Sequence, residues 1–187
     1  MSGFVKRGTK VFFALVPLLL AVGCVHAPDS YPPPAQDSHD LPPWELDPPF
    51  AEMNACDAPE YIVKDISATP EGTGWRWTFE RPELRFILNC TGGQKFTADF
   101  GVVGDTLAQT GPVTISFRIN NRLLGEVYCA TPGDRHFEKL VPASWLSTKE
   151  YTRVVFQADK LYVAERDGAK LGFTLYRAGF VESCGKP

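Results

Sequence analysis

The chain has 187 residues, with 19 basic and 22 acidic side chains and a net charge of −3 when histidine is neutral. Binding to a nucleic-acid backbone requires clustered Lys and Arg, so this mildly acidic composition without a basic run argues against a nucleic-acid-binding protein. It also argues against attachment to anionic lipid by charge, which leaves any membrane attachment to a lipid anchor.

Residues 1–23 have the layout of a secretory signal. Lys6, Arg7 and Lys10 form a positively charged start, residues 11–20 form an apolar stretch, and small residues lead up to Cys24. This order of a charged region, a short apolar region and small residues is typical of an export signal. The apolar stretch is shorter than the roughly 20 residues that a transmembrane helix needs.

The residues around the end of this signal resemble the bacterial lipobox. They read Ala21-Val22-Gly23-Cys24. In lipoproteins with a lipobox, a diacylglycerol joins the Cys sulfur and cleavage makes that Cys the first residue. The resemblance implies lipidation at Cys24, and Val25 in place of Asp implies the outer membrane as the location. The alternative is an ordinary secretory signal cut nearby, with Cys24 incidental.

Residues 24–52 are predicted to form the lipidated Cys and a disordered tether. Eight of the chain's 16 prolines lie in residues 25–50. Proline cannot donate to a β-ladder and favours an extended polyproline II conformation, which suits a spacer. Such segments also dock on aromatic grooves, so an interaction motif is the alternative. His26 and His39 lie in this segment and are too isolated for a metal site.

Residues 53–187 alternate apolar and polar side chains with a period of two, which indicates strands with one buried face. The apolar positions of four segments are predicted to face inward: Leu84, Phe86 and Leu88; Phe96, Ala98, Phe100 and Val102; Val113, Ile115, Phe117 and Ile119; and Leu171, Phe173 and Leu175.

Turn residues separate these strands. Asn120 and Asn121 follow one strong strand and precede another, and Asn tolerates positive φ, so a hairpin is predicted there. Residues 142–151 are predicted to contain a helical turn. Several short strands at this spacing predict an all-β fold, an antiparallel β-sandwich, over residues 53–187.

Three motifs give the sandwich a resemblance to a known module. They are Arg76-Trp77-Thr78, Ile119-Asn120-Asn121-Arg122-Leu123-Leu124-Gly125 and Asp167-Gly168-Ala169-Lys170-Leu171-Gly172. Together they resemble a bacterial jelly-roll module that is similar to galactose-binding-like and carbohydrate-binding domains. The resemblance implies a jelly-roll fold over about residues 60–180.

Four further cysteines in an exported domain predict disulfides: Cys56, Cys90, Cys129 and Cys184. Jelly-roll termini usually lie together, so Cys56, placed before the first strand, is predicted to pair with Cys184 after the last. Cys90 and Cys129 are predicted to point inward, either paired or as two buried thiols. No metal site is predicted, because the spacings lack a CxxC or CxxH pair.

The sequence contains no nucleophile, phosphate-binding or dinucleotide-binding motif, so neither an enzyme nor a cofactor is predicted. His136, in the polar stretch DRHFEK, is interpreted as a surface strand residue. Carboxylates are plentiful, but their spacing singles out no pair that could hydrolyse a glycoside. Asp99 lies between two inward-facing residues and is predicted to face outward.

The stretch from Trp75 to Trp77 is the strongest candidate ligand site. Trp75 and Trp77 are predicted to share a strand face, with Arg76 opposite. Flat aromatic faces suit sugar rings, and a basic side chain suits hydroxyl groups, so these three residues are predicted to bind ligand. The alternative is that both tryptophans are core residues, since Trp is highly buried on average.

The sequence thus favours a non-catalytic envelope lipoprotein whose sandwich binds a glycan or another envelope polymer. The alternative is a structural or assembly lipoprotein that binds a protein partner at an exposed sheet edge. A small hydrolase is the third hypothesis, and it would require a buried carboxylate pair in a cleft.

Overall fold

A computed structural model of the chain describes residues 49–72 and 74–181. These residues confirm the predicted all-β class and form an antiparallel β-sandwich. Within the described residues the strands, helices and 3-10 turn are, in chain order, β1 (Phe50–Glu52), α1 (Ala58–Tyr61), β2 (Ile62–Ile66), β3 (Arg76–Phe86), β4 (Lys95–Val102), α2 (Gly104–Thr110), β5 (Val113–Ile119), β6 (Arg122–Cys129), β7 (Gly133–Leu140), the 3-10 turn (Ala143–Trp145), β8 (Thr152–Ala158), β9 (Tyr162–Val163), β10 (Lys170–Leu171) and β11 (Thr174–Val181).

One long strand joins the two layers of the sandwich. The start of β3 pairs with β11, whereas its end pairs with β8. The first sheet therefore has the order β3-β11-β4-β7 with β1 on β11, and the second has the order β6-β5-β8-β3 with β2 on β3. All these pairings are antiparallel. The separate hairpin of β9 and β10 lies beside α2.

Phenylalanine rings fill the space between the two sheets. Phe117 on β5 and Phe137 on β7 belong to opposite sheets, and their rings stack with centroids 4.1 Å apart and planes 3° apart. Phe96 on β4 contacts both of them and also Phe156 and Phe180. The inward faces predicted for the strands now numbered β3, β4 and β5 are confirmed, since their apolar residues are at most 2% exposed.

The predicted hairpin at Asn120 and Asn121 is also confirmed. It joins β5 to β6, with φ of 46° at Asn120 and 67° at Asn121. Two successive residues with positive φ match the right-handed twist of the strands they connect. The predicted helical turn in residues 142–151 is present as the 3-10 turn, whereas α1 and α2 had no counterpart in the prediction.

The folded domain begins before the predicted boundary. β1 starts at Phe50, inside the segment 24–52 that was predicted to be a tether, and pairs with β11. Pro49 precedes it, and its carbonyl accepts a hydrogen bond from the Phe180 amide at 2.9 Å. Residues 1–48 lie outside the described residues, and no helix of the described chain is long and apolar enough to cross a membrane.

The predicted disulfide pairing is wrong in two places. Cys56 is exposed and free. It lies after β1, in the turn before α1, and does not precede the first strand as expected. Cys129 is free and buried at the end of β6, so the alternative in which it pairs with Cys90 is wrong as well. Burial raises the pKa of the Cys129 thiol. The inward orientation predicted for Cys129 is confirmed.

Cys90 is disulfide-bonded. Because Cys56 and Cys129 are free, we expect its partner to be one of the two cysteines outside the described residues, Cys24 or Cys184. Val181 at the end of β11 pairs with Lys95 at the start of β4, five residues after Cys90. This register favours Cys184.

We predict a Cys90–Cys184 bond in the exported protein. Peptide mapping without reduction should yield one cross-linked pair, while the exposed Cys56 should react with iodoacetamide in the native state. Closing so long a loop contributes about 4–5 kcal/mol in the chain-entropy model, so reduction should lower the melting temperature. Recovery of Cys90 as a free thiol, or bonded to Cys24, would contradict the pairing.

Candidate functional site

The two tryptophans of the predicted site lie where expected, on one side of the β-strand. Both are partly buried, and their rings meet edge to face with centroids 5.3 Å apart. Gly72 lies against the Trp75 indole, because a Cβ at this glycine would stand 2.6 Å from Trp75 Nε1. A nearby cleft of about 370 Å³ is lined by Asn54, Pro70, Glu71, Gly72 and Gly74. Ligand binding by Trp75 and Trp77 stays a prediction.

The predicted role of Arg76 in ligand binding is wrong. Its side chain faces away from the tryptophans and is only 3% exposed. Arg76 Nε donates to the Met53 carbonyl at 2.8 Å, and Nη1 donates to the carbonyls of Ser67 at 2.9 Å and of Ala68. Burial lowers the pKa of this guanidinium. Arg76 therefore ties the end of β1 to the loop after β2 and has no exposed surface to offer a ligand.

The outer face of the first sheet carries a more concentrated set of polar groups. Glu52, Arg177, Asp99 and His136 are paired side by side across β1, β11, β4 and β7. We call these four residues the charged row. Asp99 and His136 both face outward, as predicted, but the cross-strand register that brings them together was not predicted.

Asp99 is the centre of the charged row. Its Oδ1 lies 2.5 Å from His136 Nδ1, and its Oδ2 accepts a hydrogen bond from Arg177 Nε. Arg177 Nη1 is also 3.7 Å from Glu52 Oε1, and its guanidinium lies over the Phe50 ring at 5.7 Å. Both oxygens of Asp99 are thus occupied while its side chain stays 25% exposed.

These contacts keep Asp99 ionised. Partial burial raises its pKa, but the hydrogen bonds from His136 and Arg177 outweigh burial, and the pKa lies below its ordinary value. A carboxylate with a lowered folded-state pKa stabilises the fold at neutral pH, and this contribution is lost as the pH falls through that pKa.

Asp134 and Tyr176 form a second polar pair on the same face, next to the charged row and above Gly101 of β4. Gly101 pairs with Asp134 on β7 and with Thr174 on β11. The Tyr176 hydroxyl donates to Asp134 Oδ1 at 2.8 Å above this glycine. A Cβ at Gly101 would stand 2.8 Å from Thr174 Oγ1, 3.0 Å from Asp134 Oδ1 and 3.2 Å from Tyr176 Oη. Glycine is needed here because the three polar side chains occupy the space of a Cβ.

A β-bulge brings Tyr176 to this position. Leu175 pairs with Phe100 and Arg177 pairs with Asp99, so Tyr176 is an extra residue in β11. A bulge re-aims the side chains beside it. The buried apolar side chains change phase at this point, from Phe173 and Leu175 to Ala178 and Phe180. The same change is visible in the sequence LYRAGF, and it is the signal that could have located Tyr176.

The two rows border an open pocket on the outer face of the sheet, which we call the outer pocket. Its volume is about 380 Å³, and it is lined by Asp99, Asp134, Arg135, His136 and Tyr176. The Arg135 guanidinium is directed to Thr131, to whose carbonyl and hydroxyl Nη2 donates at 2.8 and 2.9 Å. Burial, followed by the hydrogen bond to Asp134, raises the pKa of Tyr176, so its hydroxyl remains protonated.

The outer pocket can hold a polar molecule by hydrogen bonds in fixed directions. In the part of the chain that the structure describes, no group of three or more His, Cys, Asp or Glu side chains could hold a metal ion. The lining of the outer pocket offers carboxylate, imidazole and phenol groups.

Comparisons with known proteins do not place the chain in a family. No protein-family model and no curated protein matches it. Among solved structures, a family 35 carbohydrate-binding module from an environmental isolate has 10% identity and a TM-score of 0.42, over 72% of this chain and 93% of that one. The acetyl xylan esterase Est2A from the rumen bacterium Butyrivibrio proteoclasticus has 13% identity and a TM-score of 0.41, over 74% of this chain and 32% of that one.

We predict that Arg76→Met destabilises the fold and leaves ligand binding unchanged. The substitution removes the donors from three backbone carbonyls, and each buried acceptor left unpaired costs about 1–3 kcal/mol. Urea unfolding should show a large loss of stability. The control is Arg81→Met, since Arg81 is exposed on the same strand. A stable Arg76→Met protein with weakened saccharide binding would restore Arg76 to the ligand site.

Proposed function

We propose that this protein is a non-catalytic lipoprotein whose β-sandwich binds a saccharide in the outer pocket. The observation that carries the proposal is the outer pocket itself, in which Asp99, Asp134, His136 and Tyr176 converge from three neighbouring strands. Its volume of about 380 Å³ lies at the lower end of the range for small-ligand sites, roughly 300–1,000 Å³.

A saccharide suits this pocket because its hydroxyl groups need hydrogen-bond partners at fixed positions. The Asp99–His136 and Asp134–Tyr176 contacts hold the four side chains in place before any ligand arrives. Groups that are already ordered lose less conformational entropy on binding. The rigidity of the three strands adds to this, since a site on regular elements is held more firmly than one on loops.

The lowered pKa of Asp99 supports binding over hydrolysis. Glycoside hydrolysis uses a carboxylic acid with a raised pKa as the general acid, together with a second carboxylate. Asp99 has a lowered pKa and donates no proton near neutral pH. The lining side chains of the outer pocket include no serine or cysteine nucleophile.

The exposed apolar side chains give less support to the alternative of a protein-binding surface. Leu140 and Val181, both exposed, share a row with Lys95 between them. On the edge strand β6, the exposed Tyr128 and Leu123 have the polar cross-strand partners Thr114 and Arg118, respectively. A flat apolar patch would need apolar neighbours at these positions.

The proposed membrane anchor lies outside the described residues. It is supported by the lipobox resemblance at Cys24 and by the signal-like residues 1–23. The proline-rich residues before β1 would act as the tether, with a reach on the order of 80 Å at ~3.1 Å per residue. The outer membrane is the proposed location, because Val25 follows the lipidated residue.

Saccharide binding is tested by screening the detergent-solubilised full-length protein on a glycan array. We expect Tyr176→Phe to weaken binding of the positive glycans by about two- to tenfold, as for the loss of one hydrogen bond that orients Asp134. Tyr128→Phe, at an exposed tyrosine on β6, is the matched control and should bind as the native protein does. Equal affinity of all three proteins would place the saccharide site elsewhere.

The anchor has its own test. Cys24→Ser removes the sulfur to which the lipid would be attached. We expect that labelled palmitate is incorporated into the native protein and not into the variant, and that the variant leaves the membrane fraction. Cys56→Ser is the control, since Cys56 is an exposed free thiol in the folded domain. Equal labelling of native and Cys24→Ser proteins would show that the lipid is attached at another residue.

A further inference from the structure

The hydrogen-bond donors of the outer pocket are already committed to partners within the protein. His136 Nδ1 is bonded to Asp99, and the Tyr176 hydroxyl donates to Asp134. Arg135 Nη1 donates to the Asp134 carbonyl at 2.8 Å, and Nη2 donates to Thr131. These side chains therefore present few donors to a ligand.

Two acceptors remain. In a neutral imidazole whose Nδ1–H donates to a carboxylate, the other nitrogen carries a lone pair. In the neutral form of His136 this nitrogen is Nε2, which has no hydrogen-bond partner among the described residues. Asp134 Oδ2 likewise has none, since the Tyr176 hydroxyl bonds to Oδ1. Asp134 and His136 are two positions apart on β7, project from the same face and both line the outer pocket, where these two acceptors are available to a ligand.

The charges around the outer pocket also disfavour a ligand that carries a carboxylate. Asp99 and Asp134 contribute two negative charges to the lining, and Arg135 contributes one positive charge. The nearest cation of the charged row is Arg177, which is shared between Asp99 and Glu52. Lys95 and Glu138, further along the same face, pair with each other at 2.9 Å. Glu52, Asp99 and Asp134 thus outnumber Arg135 and Arg177 by one, and an anionic ligand entering the pocket would be repelled.

We propose that the outer pocket selects saccharides that donate hydrogen bonds, namely neutral and amino sugars, and rejects uronates. This inference rests on the proposed saccharide binding and specifies its chemistry. Hydroxyl groups of one sugar ring donate to His136 Nε2 and Asp134 Oδ2. A 6-carboxylate replaces the 6-hydroxyl donor with a group that only accepts hydrogen bonds, so it would leave unpaired the acceptor that this hydroxyl contacts and would add a like charge.

The test uses gluco-, galacto- and manno-configured tetrasaccharides, each in three forms: neutral, 2-amino and 6-carboxylate. Calorimetric titration of the full-length protein in detergent at pH 7.5 gives the dissociation constants. We expect the carboxylate form of any binding configuration to bind at least tenfold more weakly than the neutral form. The amino form should bind at least as tightly as the neutral form, with an affinity that falls as salt is added.

Asp134→Asn replaces one of the two acceptors, Oδ2, with a hydrogen-bond donor. The amide oxygen can still accept from Tyr176, which directs the NH₂ group to the position of Oδ2. We expect this variant to bind the neutral form more weakly and to lose most of its discrimination against the carboxylate form. Glu138→Gln is the matched control: it removes the same charge from the same face of β7 but does not line the outer pocket, and it should keep the native preference.

The outcomes separate the inference from the proposed function. A carboxylate form that binds the native protein as tightly as its neutral form would overturn the inference while leaving saccharide binding in place. The inference would also be overturned if Asp134→Asn kept the native discrimination, or if Glu138→Gln lost it to the same extent. Either result would assign the selectivity to the general charge of the protein. If none of the nine tetrasaccharides bound, the proposed function itself would fail.

Discussion

The packing of phenylalanine rings between the two sheets is the constraint on which the rest of the structure depends. The stacked pair of Phe117 and Phe137 fixes the distance between the sheets, and Phe96 packs against both. A Cβ at Gly125 would stand 3.0 Å from the Phe137 ring, so the glycine there lets β6 lie close to the Phe137 ring without crowding it. Since every inward position of β4 and β5 is filled by the core, their polar residues must face outward.

The candidate site follows from one interruption of this alternation. A regular β11 would place only one of the neighbouring residues Tyr176 and Arg177 on the outer face, because side chains alternate along a strand. The bulge instead puts both side chains on the outer face, where Arg177 bonds to Asp99 and Tyr176 bonds to Asp134. The inner face keeps its apolar residues, because Ala178 and the residues beyond it are buried at even positions. The bulge therefore adds two polar contacts to the outer face without placing a polar side chain in the core.

Strand faces could be predicted from the sequence, whereas contacts between strands could not. The alternation around Asp99 indicated its outward orientation, and the polar stretch around His136 indicated a surface strand. Their pairing depends on the register between β4 and β7, which no local pattern specifies. The same alternation placed Arg76 on the face opposite Trp75 and Trp77. This placement was already inconsistent with a single ligand surface formed by all three residues. The carbonyls that accept from Arg76 belong to the segments after β1 and β2, so its structural role depended on how these segments fold around it.

The contacts that hold the outer pocket together also determine what it can do. An Asp99 that accepts from His136 and Arg177 is kept ionised, and this removes the proton that a general acid would need. The same bond sets the imidazole of His136 with one nitrogen toward the protein and the other toward the ligand. A hydrogen bond made inside the pocket therefore consumes a donor and leaves an acceptor exposed. Rigidity and selectivity for donating ligands are in this way two consequences of one arrangement of side chains.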